Sequence, residues 1–525
     1  MITSAKKEKT TLKQKLAVFL VIGLALTASA PAQDKPADKP ADKPPAADAA
    51  KKEPPKAEQS VTQHSIVIGG VPVAYTATAG TLIVRNDKDE PWASMGYVAY
   101  VKKDGTARRP ITFAFNGGPG SSSMWLHMGA LGPRRVVTAD AGPTPPPPYQ
   151  VVDNAYSIID KTDLVMIDPV GTGLSKAVGD AKDKDFWGAD PDIDSIAHFI
   201  RQYVSDNGRW NSPKYVLGES YGTTRAPGII DHLQGKGMAF NGVILVSVAM
   251  DLGALFDYSG NDRPFPLILP SYAAVSAYHK MLPAPPPDLD AFLNEVRQYA
   301  AGEYASALLA GDALPAARRA AVVKKLHEYT GLPEDYIEKA NLRLGEGLYS
   351  QELLRQKGAT VGRLDARFVG PTLDILAKEA DYDPQSSAIS AAYIAAFLAY
   401  YNEELKFGQG KTYLTTNYEV GRSWDFKHKV PGAEFPQPMI DAVPDLAHAM
   451  ILNPNLRVLV QNGTYDLATP FFATETQMNA VHIPANLRDH IAMKYYPAGH
   501  MMYVYEPSLK GFKADIADFI DRTSK

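Results

Sequence analysis

The stretch YVLGESYG, residues 215–222, decides the fold of this 525-residue chain. The apolar run Tyr215–Leu217 is typical of a buried strand, and a helical pattern follows from Thr224 to Gln234. Between them, Gly218-Glu219-Ser220-Tyr221-Gly222 matches G-x-S-x-G. Glycines at both ends let the backbone turn sharply from strand to helix, which exposes the serine oxygen. We therefore predict a nucleophile elbow with Ser220 at its tip.

Strand-like and helical patterns alternate on both sides of this stretch. Two or three strands are expected first, within Ser65–Tyr75, Thr81–Val84 and Ala93–Val101. Short apolar runs of the kind found in buried parallel strands follow at Ile111–Phe115, Leu164–Ile167, Tyr215–Leu217, Val243–Val248, Val458–Val460 and Met493–Tyr495. Helical patterns include Asp192–Asp206. This alternation predicts an α/β fold with a doubly wound, mostly parallel sheet.

A serine nucleophile needs a base and a group that orients the base. Asp466 follows the strand-like run at 456–461, and His500 follows the run at 492–496. Both lie just beyond the carboxyl end of a predicted strand, where ligand-facing loops collect. The order Ser220, Asp466, His500 is the one expected for an elbow of this type. We predict these three residues as the catalytic set.

A glycine-rich loop follows the predicted strand Ile111–Phe115. Its sequence, Asn116-Gly117-Gly118-Pro119-Gly120-Ser121-Ser122-Ser123, is neither a P-loop nor a dinucleotide fingerprint. Gly118 has no side chain to obstruct an oxygen that develops negative charge. We predict that the N–H groups of Gly118 and Tyr221 form an oxyanion hole.

Composition excludes several other classes of protein. The chain has no cysteine, which rules out disulfides, zinc–thiolate sites and thiol nucleophiles. The formal net charge of −4 gives no basic excess for nucleic-acid binding. The sequence has no H-E-x-x-H motif and no histidine cluster at metal spacing, so we do not predict a metalloenzyme.

The N-terminal sequence predicts an export signal followed by a linker. Five lysines before residue 16, an apolar run from Leu16 to Leu26, and the small residues up to Ala32 predict a signal peptide at 1–32. The run is too short to span a bilayer, so no stable membrane insertion is expected after cleavage. Residues 33–60 are rich in Pro, Ala, Lys and Asp and predict a disordered linker. The expected location is periplasmic or extracellular.

The alternation of strands and helices stops near residue 250 and resumes near Leu456. Residues 289–401 carry mainly helical patterns, with Gly331 and Gly345 as helix ends. We predict one α/β core, residues 61–250 and 441–525, interrupted by a mostly helical insertion at 251–440. Insertions of this kind commonly cover an active site.

Taken together, these motifs resemble the serine carboxypeptidases of peptidase class S10. The resemblance rests on Asn116–Ser123, Gly218–Gly222, Asp168–Ser175, Asp466 and Gly499-His500-Met501. It implies an α/β-hydrolase fold with a helical insertion, in what we take to be an exported bacterial member. It also implies release of C-terminal amino acids from peptides without a cofactor. The partner implied is a peptide with a free C-terminus.

The resemblance also assigns residues that bind the substrate's terminal carboxylate. Asn116, Gly117 and Glu219 match three of them, but the second glutamic acid of the family is replaced by Ala130. His127, three residues earlier, and Arg225, five residues after the nucleophile, are alternative carboxylate ligands. Each could equally be structural: His127 by packing, and Arg225 in a salt bridge.

Three functions remain open from sequence alone. The first is an exported serine carboxypeptidase that acts through an acyl-enzyme. The second is an esterase, an acyltransferase or a serine peptidase of relaxed specificity on the same scaffold, an alternative that Ala130 raises. The third is a non-catalytic, tethered binding protein. Side-chain specificity and oligomeric state are not predicted.

Overall fold

The computed structural model describes residues 55–525, so the signal and most of the linker predicted at 1–60 lie outside the described residues. Residues 57–525 form one compact unit. The first strand begins at Gln59, one residue before the predicted end of the linker. Within the described range, no helix is both long enough and apolar enough to cross a bilayer.

A mixed sheet forms the centre of the described chain. Its strands are β1 Gln59–Ile68, β2 Val71–Arg85, β3 Pro91–Lys102, β4 Ile111–Phe115, β7 Asp163–Ile167, β8 Lys176–Ala177, β9 Lys214–Glu219, β10 Gly242–Val246, β13 Arg457–Gly463 and β14 Ile491–Tyr496. Two short hairpins stand apart from it: β5 Arg134–Val136 with β6 Val151–Asp153, and β11 Ala359–Val361 with β12 Val369–Pro371.

The order across the sheet is β1-β2-β3-β7-β4-β9-β10-β13-β14, with β8 beside β3. The six strands β7, β4, β9, β10, β13 and β14 run parallel to one another. Strands β1, β2 and β3 pair antiparallel, and β3 joins β7 antiparallel. The two or three strands expected at the start are three, but their bounds differ: Ser65–Tyr75 contains the end of β1 and the start of β2, and Thr81–Val84 lies in β2. Gly69 and Gly70, both with positive φ, turn the chain there into a long hairpin.

Alternate residues of the parallel strands point into two different hydrophobic cores, one on each face of the sheet. On β4, Phe113 and Phe115 point into one core and Ala114 into the other, as the two-residue period of a strand requires. Helices Ala189–Asp206, Gly222–Gly235 and Val443–Leu452 cover the first face, and Glu506–Thr523 covers the second. Helices on both faces of a mostly parallel sheet confirm the predicted α/β fold class.

Residues 251–440 carry helices and the β11–β12 hairpin. The helices are Pro264–Tyr278, Leu289–Tyr299, Ala305–Ala310, Ala316–Thr330, Glu334–Lys339, Glu346–Glu352, Pro384–Ala399 and Tyr418–Ser423. Most of the helices up to residue 354 share a third hydrophobic core, which also takes in residues of Phe471–Asn479. The helix Pro384–Ala399 instead packs into the second core of the sheet.

A buried ion pair joins two helices on the first face of the sheet. Arg225, on the helix that follows the elbow, is 1 % exposed and pairs with Asp192 on Ala189–Asp206. Arg225 Nη1 also donates to the Asn116 carbonyl oxygen at 2.5 Å. Arg225 therefore links the helix behind the nucleophile both to Ala189–Asp206 and to the glycine-rich loop.

Replacing Arg225 should destabilise the fold because it leaves the Asp192 carboxylate buried without its partner. We expect Arg225→Met to lower the free energy of unfolding by about 3–5 kcal/mol, measured by urea denaturation. The double variant Asp192→Leu, Arg225→Met should recover part of the loss. Arg522→Met, which removes an exposed pair with Asp518, is the control and should leave the unfolding midpoint unchanged. An Arg225→Met protein as stable as the parent would contradict this structural role.

Candidate active site

The elbow brings backbone segments closer together than side chains would allow. Ser220 has φ +58°, in the left-handed region that a non-glycine residue rarely adopts. A Cβ on Gly218 would lie 2.1 Å from the carbonyl oxygen of Gly222, so the turn requires glycine. Ser220 N–H donates to the Val246 carbonyl at 2.9 Å, which ties the elbow to the end of β10. The serine side chain is thereby held at the carboxyl edge of the sheet.

His500 and Asp466 form a short, buried pair at the same edge. His500 Nδ1 lies 2.7 Å from Asp466 Oδ2, and the side chains of both residues are at most 6 % exposed. Asp466 Oδ1 accepts the N–H groups of Ala468 and Thr469 at 2.8 and 2.9 Å. The Thr469 hydroxyl donates to Oδ2 at 2.6 Å. The carboxylate is thus fully engaged and holds the imidazole in one orientation.

The charges of this pair stabilise each other. Burial alone would lower the pKa of His500, but the charge and hydrogen bond of Asp466 and the charge of Glu219 raise it above the ordinary value. Burial alone would raise the pKa of Asp466, but His500 and the Thr469 hydrogen bonds lower it. Asp466 therefore stays ionised while His500 takes up and releases a proton.

The histidine loop is held from both sides. Ser247, next to the residue that binds the elbow, donates from its hydroxyl to the His500 carbonyl at 2.7 Å. On the other side, His500 N–H donates to Leu364 O at 2.6 Å, and Gly499 N–H donates to Asp365 Oδ2 at 2.9 Å. Arg367 forms a bidentate ion pair with Asp365. A segment of the 251–440 region thus fixes the backbone of the predicted base.

The glycine-rich loop passes directly against the elbow. A Cβ on Gly117 would lie 2.4 Å from the backbone nitrogen of Tyr221, so the two segments touch. Gly118 has φ +106°, and a Cβ there would lie 2.6 Å from the nitrogen of Gly120. The N–H groups assigned to the oxyanion hole, those of Gly118 and Tyr221, therefore belong to segments in contact.

The motif Asp168–Ser175 braces this loop. Asp168 Oδ1 accepts the N–H and the hydroxyl of Ser123, both at 2.9 Å, and Oδ2 accepts the Tyr413 hydroxyl at 2.8 Å. A Cβ on Gly173 would lie 2.0 Å from Asp168 Oδ2, so the motif folds tightly over its own carboxylate. The motif has a supporting role and does not itself belong to the reacting set.

Residues 413–417 hold the loop from its outer side. Ser122 N–H donates to Thr415 O at 3.1 Å, and Asn417 N–H donates to Gly120 O at 2.7 Å. The Asn417 side chain donates to Gly171 O at 2.9 Å, which joins the brace to the same segment. The glycine-rich loop is therefore fixed on both sides by hydrogen bonds.

Glu219 is a buried carboxyl group beside the nucleophile. It is 3 % exposed, and its Oε2 accepts Asn116 Nδ2–H at 3.0 Å and the Tyr503 hydroxyl at 2.8 Å. Burial raises the pKa of Glu219 to about 7, although His500 and these two hydrogen bonds act to lower it. The predicted carboxylate-binding residues Asn116 and Glu219 are thus in contact, and Gly117 lies beside Asn116.

The two alternative carboxylate ligands have structural roles instead. His127 is 1 % exposed with Nε2 2.5 Å from the Tyr100 hydroxyl, and burial lowers its pKa to about 3. His127 is therefore uncharged at ordinary pH and does not supply a positive charge. Arg225 already binds Asp192 and the Asn116 carbonyl, so it supports Asn116 from behind. Both side chains are thus bonded within the protein, His127 to Tyr100 and Arg225 to Asp192.

Sequence reasoning missed three residues that contact this set: Thr469, Asp365 and Tyr503. Thr469 follows Asp466 by three residues and Tyr503 follows His500 by three, spacings compatible with a tight turn. That proximity was the available signal for both. Asp365 lies 135 residues before His500, and no sequence pattern connects them. Within residues 55–525, no group of three or more His, Asp or Glu side chains is placed to bind a metal ion.

Comparison with known proteins shows a family similarity over part of the chain. Residues 72–250, which include the glycine-rich loop, the Asp168–Ser175 brace and the elbow, match the family model for serine carboxypeptidases, Peptidase_S10. No curated protein sequence matches the chain.

Solved structures share the fold at low sequence identity. A prohormone-processing carboxypeptidase from Saccharomyces cerevisiae, KEX1(Δ)p, superposes with a TM-score of 0.52 at 14 % identity, covering 85 % of this chain and 91 % of that one. A proline iminopeptidase from Mycobacterium smegmatis covers 88 % of this chain and 99 % of that one at 14 % identity, but its TM-score is 0.33. The second likeness is too weak to support an argument. Residues 72–250 are thus similar to serine carboxypeptidases, and the described chain has the fold of the α/β hydrolases.

Proposed function

We propose that this protein is an exported serine carboxypeptidase that releases C-terminal amino acids through an acyl-enzyme. One observation carries the proposal: a buried carboxyl group, Glu219, lies next to the nucleophile and has a pKa near neutrality. A neutral carboxyl can donate a hydrogen bond to a carboxylate, whereas an ionised one repels it. The adjacent Asn116 side chain already donates to Glu219. This arrangement favours substrates with a free terminal carboxylate.

The proposed acylation step uses the three residues of the predicted catalytic set. His500 takes the proton of the Ser220 hydroxyl as the serine oxygen attacks the carbonyl carbon of the last peptide bond. The carbonyl oxygen becomes an oxyanion and accepts hydrogen bonds from Gly118 N–H and Tyr221 N–H. His500 then gives the proton to the leaving nitrogen as the C–N bond breaks. Asp466 stays ionised throughout and stabilises the imidazolium.

Deacylation repeats the sequence with water. His500 takes a proton from water while the water oxygen attacks the ester carbonyl of the acyl-enzyme. The same two N–H groups stabilise the second oxyanion. His500 returns the proton to the Ser220 oxygen, which releases the shortened peptide and restores the enzyme.

The charges of Glu219 and His500 shift each other's pKa. An ionised Glu219 raises the pKa of His500, and a cationic His500 lowers the pKa of Glu219. The reactive form needs a neutral Glu219 to bind the substrate and a neutral His500 to act as base. A bound terminal carboxylate adds negative charge beside Glu219 and so favours its neutral form.

A direct test compares a blocked dipeptide that has a free C-terminus with its C-terminal amide. We expect kcat/KM for the acid to exceed that for the amide by about a hundredfold, because each lost charge-assisted hydrogen bond costs about 1.5–3 kcal/mol. Ser220→Ala should hydrolyse neither substrate. Equal turnover of acid and amide would favour the esterase or relaxed-peptidase alternative. A parent chain that binds the dipeptide and hydrolyses nothing would favour the binding-protein alternative.

Glu219 should impose a pH limit on substrate binding. Its pKa is raised to about 7, so its neutral form predominates below that pH and is lost as the pH rises through it. We expect KM for the free-acid peptide to rise by about tenfold per pH unit above about pH 7. Glu219→Gln keeps an uncharged donor that cannot ionise, and its KM should be independent of pH from 6 to 9. An inflection that persists in Glu219→Gln would assign the titration to another group.

Export is proposed from the basic and apolar N-terminal sequence. We expect the protein recovered from outside the cytoplasm to begin at Gln33, as determined by N-terminal sequencing. An Ala30→Leu change should slow processing because the cleavage site needs small residues. A mature protein that begins at the first residue would contradict the signal peptide.

A further inference from the structure

Glu219 has a hydrogen-bond partner that the family resemblance does not predict. The resemblance implies a second glutamic acid, and Ala130 stands in its place. In the structure, the Tyr503 hydroxyl donates to Glu219 Oε2 at 2.8 Å. Tyr503 is 1 % exposed and belongs to the helical turn Met502–Val504, just after His500. The Tyr503 hydroxyl therefore bonds Glu219, the one glutamic acid of the implied pair that this chain retains.

The tyrosine ring packs against the segment that carries Ala130. A Cβ on Gly129 would lie 2.4 Å from Tyr503 Cε2 and 2.6 Å from the Tyr393 hydroxyl. Glycine at 129 and alanine at 130 thus leave room for aromatic rings. The Tyr503 ring also contacts Phe512 edge-on, with centroids 6.2 Å apart, which fixes its orientation. The small residues and the ring are complementary in shape.

The hydrogen bonds determine which oxygen of neutral Glu219 carries the proton. Leu126 N–H donates to Asn116 Oδ1 at 3.0 Å, so the amide of Asn116 must direct its NH₂ group at Glu219. Oε2 then accepts from both Asn116 and Tyr503 and acts as the carbonyl oxygen. The proton of the neutral acid is left on Oε1, where it can be donated to another group.

We propose that Tyr503 is a positioning residue that replaces the second glutamic acid: it holds Glu219 with its proton on Oε1, directed at the terminal carboxylate of the substrate. This inference rests on the proposed carboxypeptidase function. Burial and the charge of Glu219 raise the pKa of Tyr503 well above its usual value, so the phenol keeps its proton wherever the enzyme works. Carboxylate recognition here depends on one titrating group, whereas two glutamic acids would supply two.

The test measures kcat and KM across pH for Tyr503→Phe in the full chain. Substrates are the blocked dipeptide with a free C-terminus and the matching methyl ester, which has no terminal carboxylate. We expect KM for the free acid to rise about tenfold below pH 7 with kcat within twofold of the parent, because one buried hydrogen bond to Glu219 is lost. Both parameters for the ester should stay within twofold.

The pH profile separates positioning from a structural role. The Tyr503 hydrogen bond favours ionised Glu219, so its loss should move the inflection in KM to higher pH. The control is Tyr400→Phe, which removes an equally buried hydroxyl that bonds Tyr100 rather than Glu219. It should leave the inflection in place.

The outcomes distinguish this inference from the function on which it rests. If the parent prefers the free acid to the amide but Tyr503→Phe keeps the parent KM and inflection, the role of Tyr503 is overturned alone. Equal losses on acid and ester would also overturn it, since they indicate a structural defect. If the parent itself shows no preference for the free acid, the carboxypeptidase proposal fails, and this inference fails with it.

Discussion

Contact between backbone segments without intervening side chains is the constraint on which this site depends. The loop at Gly117 touches the nitrogen of Tyr221, and the turn at Gly218 closes on the carbonyl of Gly222. Ser220 accepts a left-handed conformation within that turn. Strain of this kind persists only where the surroundings overdetermine it. Here the end of β10, the Asp168 brace and the Arg225–Asp192 pair supply that support.

Two buried acids at the same edge have opposite protonation preferences because their surroundings differ. Asp466 accepts four hydrogen bonds and faces His500, so its ionised form is favoured. Glu219 accepts bonds from two uncharged donors at one oxygen, and burial outweighs these bonds and the charge of His500, so its pKa is raised to about 7 and its neutral form is favoured below that pH. Asp466 can therefore stabilise the cationic form of His500, while neutral Glu219 can donate a hydrogen bond to an anion. Environment rather than residue type assigns the two roles.

The fold, and the placement of the three predicted catalytic residues beyond strand ends, were predictable because they have local signals. Apolar runs marked β4, β7, β9, β10, β13 and β14, and the elbow and the strand ends marked Ser220, Asp466 and His500. The bounds of the first hairpin were missed: Ser65–Tyr75 spans its turn, and Thr81–Val84 belongs to the same strand, β2. Asp365 contacts Gly499 across 134 residues, and Arg225 pairs with Asp192 across 33, so no local pattern could reveal either contact. Tyr503 was hidden for another reason: a tyrosine that replaces an acid matches no motif, and only the geometry around Glu219 connects them.

The pairing of the histidine loop with Leu364 and Asp365 has a consequence for the order of assembly. A chain synthesised from its N-terminus completes the elbow long before Asp466, His500 and Tyr503 exist. Even then, the loop at 499–500 needs partners from a segment that itself must fold between β10 and β13. A nascent or C-terminally truncated chain thus carries a nucleophile without a base. The cell that makes this hydrolase is protected from its activity until almost the whole chain has been made and folded.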